Sequence, residues 1–78
     1  MRDIYLLGST GSIGLSTLNI VRNNKKKFII KLLSTNKNIL KIYNQALEFN
    51  VKKIIIFNKP LYLKHKKKFE KKKYQSFF

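Results

Sequence analysis

The sequence predicts an α/β fold, the first half of a doubly wound parallel sheet in the order β-α-β-α-β-α. Short apolar runs alternate with longer stretches of helical period, which implies parallel strands joined by right-handed crossovers. Clusters of turn residues separate these segments, and a glycine-rich stretch joins the first run to the first helical stretch.

Ile4-Tyr5-Leu6-Leu7 is a continuous apolar run stopped by Gly8, as expected of a strand buried on both faces. A helix is expected from Ser12 to about Asn24, with Ile13, Leu18 and Val21 on its apolar side and Leu15 and Ile20 at the edge. Ser12 is the candidate cap for its first amides. The polar run Asn23 to Lys27 turns the chain into a second strand, Phe28 to Leu33, closed by Ser34-Thr35-Asn36-Lys37-Asn38. Asn38 is the candidate N-cap of a second helix through Phe49, whose Ile39, Ile42, Tyr43, Ala46, Leu47 and Phe49 lie on or beside one face. Lys53 to Phe57, with three consecutive isoleucines, is the third strand. Pro60 suits the first turn of a third helix, Leu61 to about Lys73, which is lysine-heavy and weakly amphipathic through Leu61, Leu63 and Phe69. Tyr74, Phe77 and Phe78 read as an unstructured end, and a fourth strand is expected beside the first, outside this chain.

Composition narrows the chemistry. Seventy-eight residues form one small unit, read as domain 1–78, whose core has little margin. There is no cysteine, one histidine (His65) and three acidic residues, Asp3, Glu48 and Glu70, far apart in sequence. Paired-carboxylate hydrolysis, a Ser-His-Asp constellation and multi-histidine or thiolate metal sites are excluded on these counts. His65, set among lysines, reads as a solvated surface group. The net charge of +15 raises a second reading, a small lysine-rich nucleic-acid-binding module that would bind polyanions in a salt-sensitive way. Of the 18 basic residues only Arg2 and Arg22 are arginine, whereas base-reading sites favour the bidentate guanidinium. The basicity therefore reads as compositional drift rather than a selected polyanion site. No apolar run has membrane-spanning length and no signal-peptide layout is present, so the expected compartment is the cytoplasm.

The motif with chemical content is Gly8-Ser9-Thr10-Gly11-Ser12-Ile13-Gly14, between the first strand and the first helix. A Rossmann-like fold places its pyrophosphate site here. Gly8 permits a sharp exit from the strand, Gly11 lets the backbone approach phosphate oxygens, and Gly14 allows close helix packing. Amides near Gly11, Ser12 and Ile13 would face the anion, with the Thr10 and Ser12 hydroxyls as further donors. A ligand-free tight turn is the alternative, and the Gly-Lys-Ser/Thr of a P-loop is missing. At the end of the second strand an NAD-specific fold carries an acidic residue for the ribose 2′-hydroxyl. None exists between Asp3 and Glu48; Lys37 with amide and hydroxyl donors stands there instead, which favours the 2′-phosphate of NADP. The plainer alternative makes Lys37 a solvated lysine and Asn38 a helix cap.

At these residues the chain resembles the N-terminus of the 1-deoxy-D-xylulose 5-phosphate reductoisomerases. The resemblance rests on Leu7 to Gly14, Ser16-Thr17-Leu18, Val21-Arg22, Lys37-Asn38 and Gln45 to Phe49, and it fades after about residue 65. It implies an NADPH-dependent enzyme of isoprenoid biosynthesis, in the methylerythritol phosphate pathway. That enzyme converts 1-deoxy-D-xylulose 5-phosphate to 2-C-methyl-D-erythritol 4-phosphate with Mg or Mn, as a cytoplasmic homodimer. It implies NADPH contacts at Thr10, Gly11, Ser12 and Ile13 and at Lys37 and Asn38. Asn36 stands where the family usually has glycine; asparagine tolerates positive φ, so a turn is expected there with its side chain near the adenosine ribose. The metal ligands, the sugar-phosphate site and the catalytic domains are implied to lie beyond residue 78. The chain is therefore expected to be an N-terminal portion, inactive alone, with no catalytic residue and no metal ligand of its own.

Overall fold

The structure is a computed structural model and describes residues 2–78. Four strands and three helices alternate: β1 Arg2–Leu6, α1 Ser12–Arg22, β2 Phe28–Thr35, α2 Ile39–Phe49, β3 Lys53–Ile56, α3 Lys59–Lys71 and β4 Gln75–Phe77. The strands form one sheet in the order β1-β2-β3-β4, and every neighbouring pair is parallel. A register irregularity between Ile4 and Tyr5 lets Ile4 pair with Ile30 and Tyr5 with Leu32.

Side chains from all three helices enter a single core on one face of the sheet. Leu18 and Val21 of α1, Ile42 and Ala46 of α2 and Phe69 of α3 meet Ile30, Leu33, Ile54 and Ile56 of the strands. A run of right-handed crossovers proceeding in one direction along a sheet puts its helices on the same face, and this is that arrangement. The other face is open. Ile4 and Leu6 face the core, so the alternation of β1 turns Tyr5 outward at 63% exposure, and Phe77 of β4 is 45% exposed.

The structure departs from the sequence expectations at four points. The first strand is not buried on both faces, since Tyr5 is 63% exposed and Leu7 beyond the strand 66%; its place at the edge of the sheet agrees with the expectation that its second neighbour lies outside this chain. Ile13, assigned to the apolar side of α1, is 82% exposed, because burial falls on Gly14, Leu18 and Val21 instead. The C-terminal segment is ordered, as a fourth strand beside β3 rather than an unstructured end. Tyr74 is buried there, edge-on to both Phe69 and Tyr43, so its aromatic contacts dock the segment. His65, expected to be solvated, is half-buried on α3.

The helix ends explain their boundaries. The Asn38 Oδ1 accepts the Lys41 amide at 3.2 Å and caps α2, as expected, and Asn50 ends that helix at φ +55°. The Asn58 Oδ1 accepts the Leu61 amide at 3.2 Å, with Pro60 in the first turn of α3. The α1 helix differs. Its N-cap is Gly11 rather than Ser12, and no side chain caps its amides. Across the helix layer Arg22 of α1 binds Glu48 of α2 through both Nε and Nη2, the second contact at 2.9 Å, while the guanidinium lies over Phe49.

Candidate nucleotide-phosphate site

The glycine turn leaves β1 at Gly8, which sits at φ +77°. A side chain is strained there whatever the space around it. Gly14 is required for a different reason. A Cβ at Gly14 would stand 2.3 Å from the Gly8 carbonyl oxygen and 2.7 Å from the Ser9 Cα, so only glycine lets α1 lie against the turn. Gly11 is conformationally ordinary, at φ −82°, and a Cβ on it would meet nothing closer than 3.7 Å. Nothing in the protein itself demands glycine at Gly11, so its lack of a side chain keeps open space beside the start of the helix.

Helix geometry leaves the first amides of α1 without intrahelical acceptors. Those of Ser12 and Ile13 belong to exposed residues, and no side chain answers them. They present uncompensated N–H groups at the positive end of the helix, an arrangement that suits an anion.

Buried hydrogen bonds hold the turn against the end of β2. The Gly8 amide donates to Ser34 Oγ at 2.7 Å, and the Ser9 amide donates to the Ser34 carbonyl at 2.8 Å. The Ser9 hydroxyl donates to Gln45 Oε1 at 2.7 Å, and Gln45 Nε2 donates back to the Ser9 carbonyl at 2.9 Å. The Thr10 and Thr35 hydroxyls lie 2.8 Å apart, and Thr35 Oγ1 also accepts the Asn38 amide at 3.3 Å. The two sets of sequence-predicted residues, Thr10 to Ile13 and Asn36 to Asn38, therefore meet at one end of the sheet, joined through Thr35.

Asn36, Lys37 and Asn38 are all exposed at this end. Among the described residues the non-glycine positions with positive φ are Asn50 and Lys73, so Asn36 does not occupy the left-handed turn expected of it. Asparagine there carries no backbone strain. Asn38 spends its Oδ1 on the helix cap, which leaves its side-chain amide as a donor.

Sequence reasoning assigned Ser9, Thr35 and Gln45 no part in the site, yet they hold its geometry. A faint signal was present: two hydroxyl residues close a mostly apolar strand, and Gln45 interrupts the buried face of α2 between Ile42 and Ala46. No group of three His, Cys, Asp or Glu side chains comes together among the described residues. The site can therefore hold and orient an anionic ligand, and it has no acid–base pair of its own. A groove of about 570 Å³ between α1 and α2, walled in part by Leu18, Arg22, Leu40 and Glu48, lies off the glycine turn.

Comparison with known proteins agrees with this geometry. The family model described as 1-deoxy-D-xylulose 5-phosphate reductoisomerase matches residues 4–78. The reductoisomerase of Pelagibacter ubique is 48% identical over 56 residues, which is 72% of this chain and 14% of that protein. The one from Saccharophagus degradans is 39% identical over 70 residues, or 90% of this chain and 18% of its own length. Among solved structures, the Zymomonas mobilis reductoisomerase in complex with NADPH superposes on 96% of this chain and 20% of its own, with a TM-score of 0.85 and 29% identity. A reductoisomerase bound to NADPH, fosmidomycin and magnesium covers 99% of this chain and 19% of its own, with a TM-score of 0.89 and 28% identity. The likeness does not fade near residue 65: once β4 is recognised it continues to residue 78.

Proposed function

Since the chain belongs to the 1-deoxy-D-xylulose 5-phosphate reductoisomerase family, we propose that its 78 residues form the segment that holds the phosphates of NADPH in such an enzyme. The observation that carries the reading is the uncapped start of α1 beside Gly11. Exposed amides of Ser12 and Ile13 and the Thr10 hydroxyl are available to the pyrophosphate, and Gly11 leaves room for it. Lys37 and the Asn38 side-chain amide take the 2′-phosphate, with Asn36 beside the ribose; the lack of any acidic residue between Asp3 and Glu48 supports NADP over NAD.

NADPH supplies the hydride that reduces a sugar-phosphate aldehyde to the corresponding alcohol. The residues of this chain contribute to that step by fixing the cofactor's phosphate end, so that its reactive end has a defined position. The Mg or Mn of the family does not fit here, because Asp3, Glu48 and Glu70 assemble no ligand set among the described residues. The proposal places the metal, the substrate and the dimer interface with other parts of the enzyme, in the cytoplasm; none of the helices described here is long and apolar enough to cross a membrane. The chain spans 14–18% of the two relatives described above. The family match outweighs the lysine-rich nucleic-acid module that composition alone suggested.

The test is a hybrid in which residues 1–78 replace the matching stretch of the Pelagibacter enzyme. Lys37→Glu in that hybrid should weaken NADPH more than NADH, by about 1–3 kcal/mol for a lost charge-assisted contact. Equal losses for the two cofactors, measured by calorimetry, count against the 2′-phosphate role.

A further inference from the structure

We infer that Thr35 is a positioning residue that aims the Thr10 hydroxyl proton at the bound anion. The inference rests on the phosphate-binding reading of the glycine turn and extends it to a residue beneath the ligand.

The argument is one of proton accounting. Thr35 is 2% exposed, so its hydroxyl proton has no access to water and needs a protein acceptor. Its oxygen already accepts the Asn38 amide at 3.3 Å, a contact that uses a lone pair and leaves the proton to be placed. Among the described residues the acceptor within reach of that proton is Thr10 Oγ1, at 2.8 Å. If Thr10 donated to Thr35 instead, Thr35 would accept twice and bury an unpaired O–H, which the protein interior penalises. The arrangement that satisfies every group has Asn38 N–H donating to Thr35 and Thr35 donating to Thr10. The Thr10 proton is then free. Thr10 is half-buried next to the exposed amides of Ser12 and Ile13, so its O–H becomes a third donor for the same anion.

Because the Asn38 amide opens α2 beside Lys37, the relay also ties the 2′-phosphate end of the site to the pyrophosphate end. The two ends make distinct predictions. A role through Thr10 concerns the pyrophosphate, which NADPH and NADH share. A role through Asn38 concerns the 2′-phosphate, which only NADPH carries.

The experiment uses the full-length hybrid and measures Kd for NADPH and NADH, with thermal unfolding alongside. Thr35→Val keeps the shape and deletes the hydroxyl. It should raise both dissociation constants by a similar factor, about tenfold, the loss expected of one hydrogen bond to a charged group. Thr10→Val should cost about the same, and the double variant no more than the larger single loss, because the two act as one unit. Thr35→Ser restores the proton and should restore affinity. Additive losses, a loss confined to NADPH, or a lowered melting temperature with unchanged affinities would overturn the role assigned to Thr35. Gly11→Val separates the two levels of the argument. If it leaves NADPH affinity unchanged, the phosphate reading falls and takes this inference with it. If it abolishes binding while Thr35→Val has no effect, only the inference falls.

Discussion

Gln45 clasps Ser9 from both sides: its Oε1 accepts the Ser9 hydroxyl at 2.7 Å and its Nε2 donates to the Ser9 carbonyl at 2.9 Å. Both residues are buried, 36 positions apart in the chain. The clasp fastens the glycine turn to α2, so the conformation of the turn is set by a helix distant from it in sequence. A buried pair with every polar atom answered rigidifies its surroundings, and the same low dielectric penalises any partner left alone.

Gln45→Leu preserves bulk and takes the donor from the Ser9 carbonyl, while the Ser9 hydroxyl keeps a second acceptor in the Ser34 carbonyl at 3.2 Å. We expect a loss of about 1–3 kcal/mol in stability, the cost of leaving one buried carbonyl unanswered. Gln45→Glu should be partly tolerated at acid pH, where a protonated carboxyl can both accept from and donate to Ser9, and should fail at neutral pH. Thermal unfolding of the hybrid across pH reads both effects. A flat profile for Gln45→Glu would show that the second hydrogen bond contributes nothing.

The glycines differ in what a side chain would meet, and the proposed phosphate role falls on Gly11 alone. Gly14→Ala drives a methyl to within 2.3 Å of the Gly8 carbonyl oxygen, so α1 must move off the turn and the melting temperature should fall. Gly11→Ala meets only an ordinary 3.7 Å contact and should leave the melting temperature unchanged while weakening NADPH. Paired melting curves and titrations distinguish these outcomes. A Gly11→Ala variant that melts lower than Gly14→Ala would invert the assignment.

How far the fold was legible follows from where each signal resides. Signals local to the chain were readable: the alternation of apolar runs, the glycine turn, the Asn38 cap and Pro60 at the head of α3. The fourth strand was not, because its docking rests on Tyr74 packing against Phe69 and Tyr43, a contact across three segments behind a lysine-rich helix. The exposure of Tyr5 and Leu7 was also hidden, since an apolar run has the same composition at the edge of a sheet as at its centre. At the candidate site, the exposed residues of the glycine turn followed from the motif. The supports Ser34, Thr35 and Gln45 act over separations of 25 to 36 residues, so the chain shows polar residues at apolar positions but not which partners they meet.

Stability should fall in two steps on acidification. Burial, and secondarily Lys64 and Lys68, holds the His65 imidazole below its ordinary value of 6.5, so the folded chain disfavours its protonation. That penalty is absent above about pH 6.5, grows as pH falls below it, and levels off beneath the lowered value. The hydrogen bond from Arg22 holds Glu48 below its ordinary 4.5, so the ion pair stabilises fully above that pH and is lost as pH falls through the lowered value. Glu48 is exposed and His65 only half-buried, so both steps should be small and the second sensitive to salt. Melting curves of His65→Asn and Glu48→Gln should each erase one step. Retention of both steps in both variants would assign them to other groups.

The 78 residues expressed by themselves should neither oxidise NADPH nor remain monomeric at moderate salt. No acid–base pair or metal-ligand cluster exists among the described residues, so bound cofactor has nothing here to react with. All three helices cover one face of the sheet, which leaves Tyr5 and Phe77 on the open face, and β1 is an unprotected edge followed by the exposed Leu7. Such an edge is a template for pairing with another chain. The opposing term is the net charge of +15, which repels like copies at low ionic strength. Salt weakens that repulsion over about 10 Å at 0.1 M and leaves apolar burial intact, so added salt should promote association rather than reverse it. Sedimentation velocity at two salt concentrations reads the direction. Tyr5→Lys together with Leu7→Lys puts charge on the edge and should keep the chain monomeric in both. Salt-driven dissociation would identify an electrostatic contact instead, and NADPH turnover by the isolated chain would require catalytic groups that the fold does not bring together.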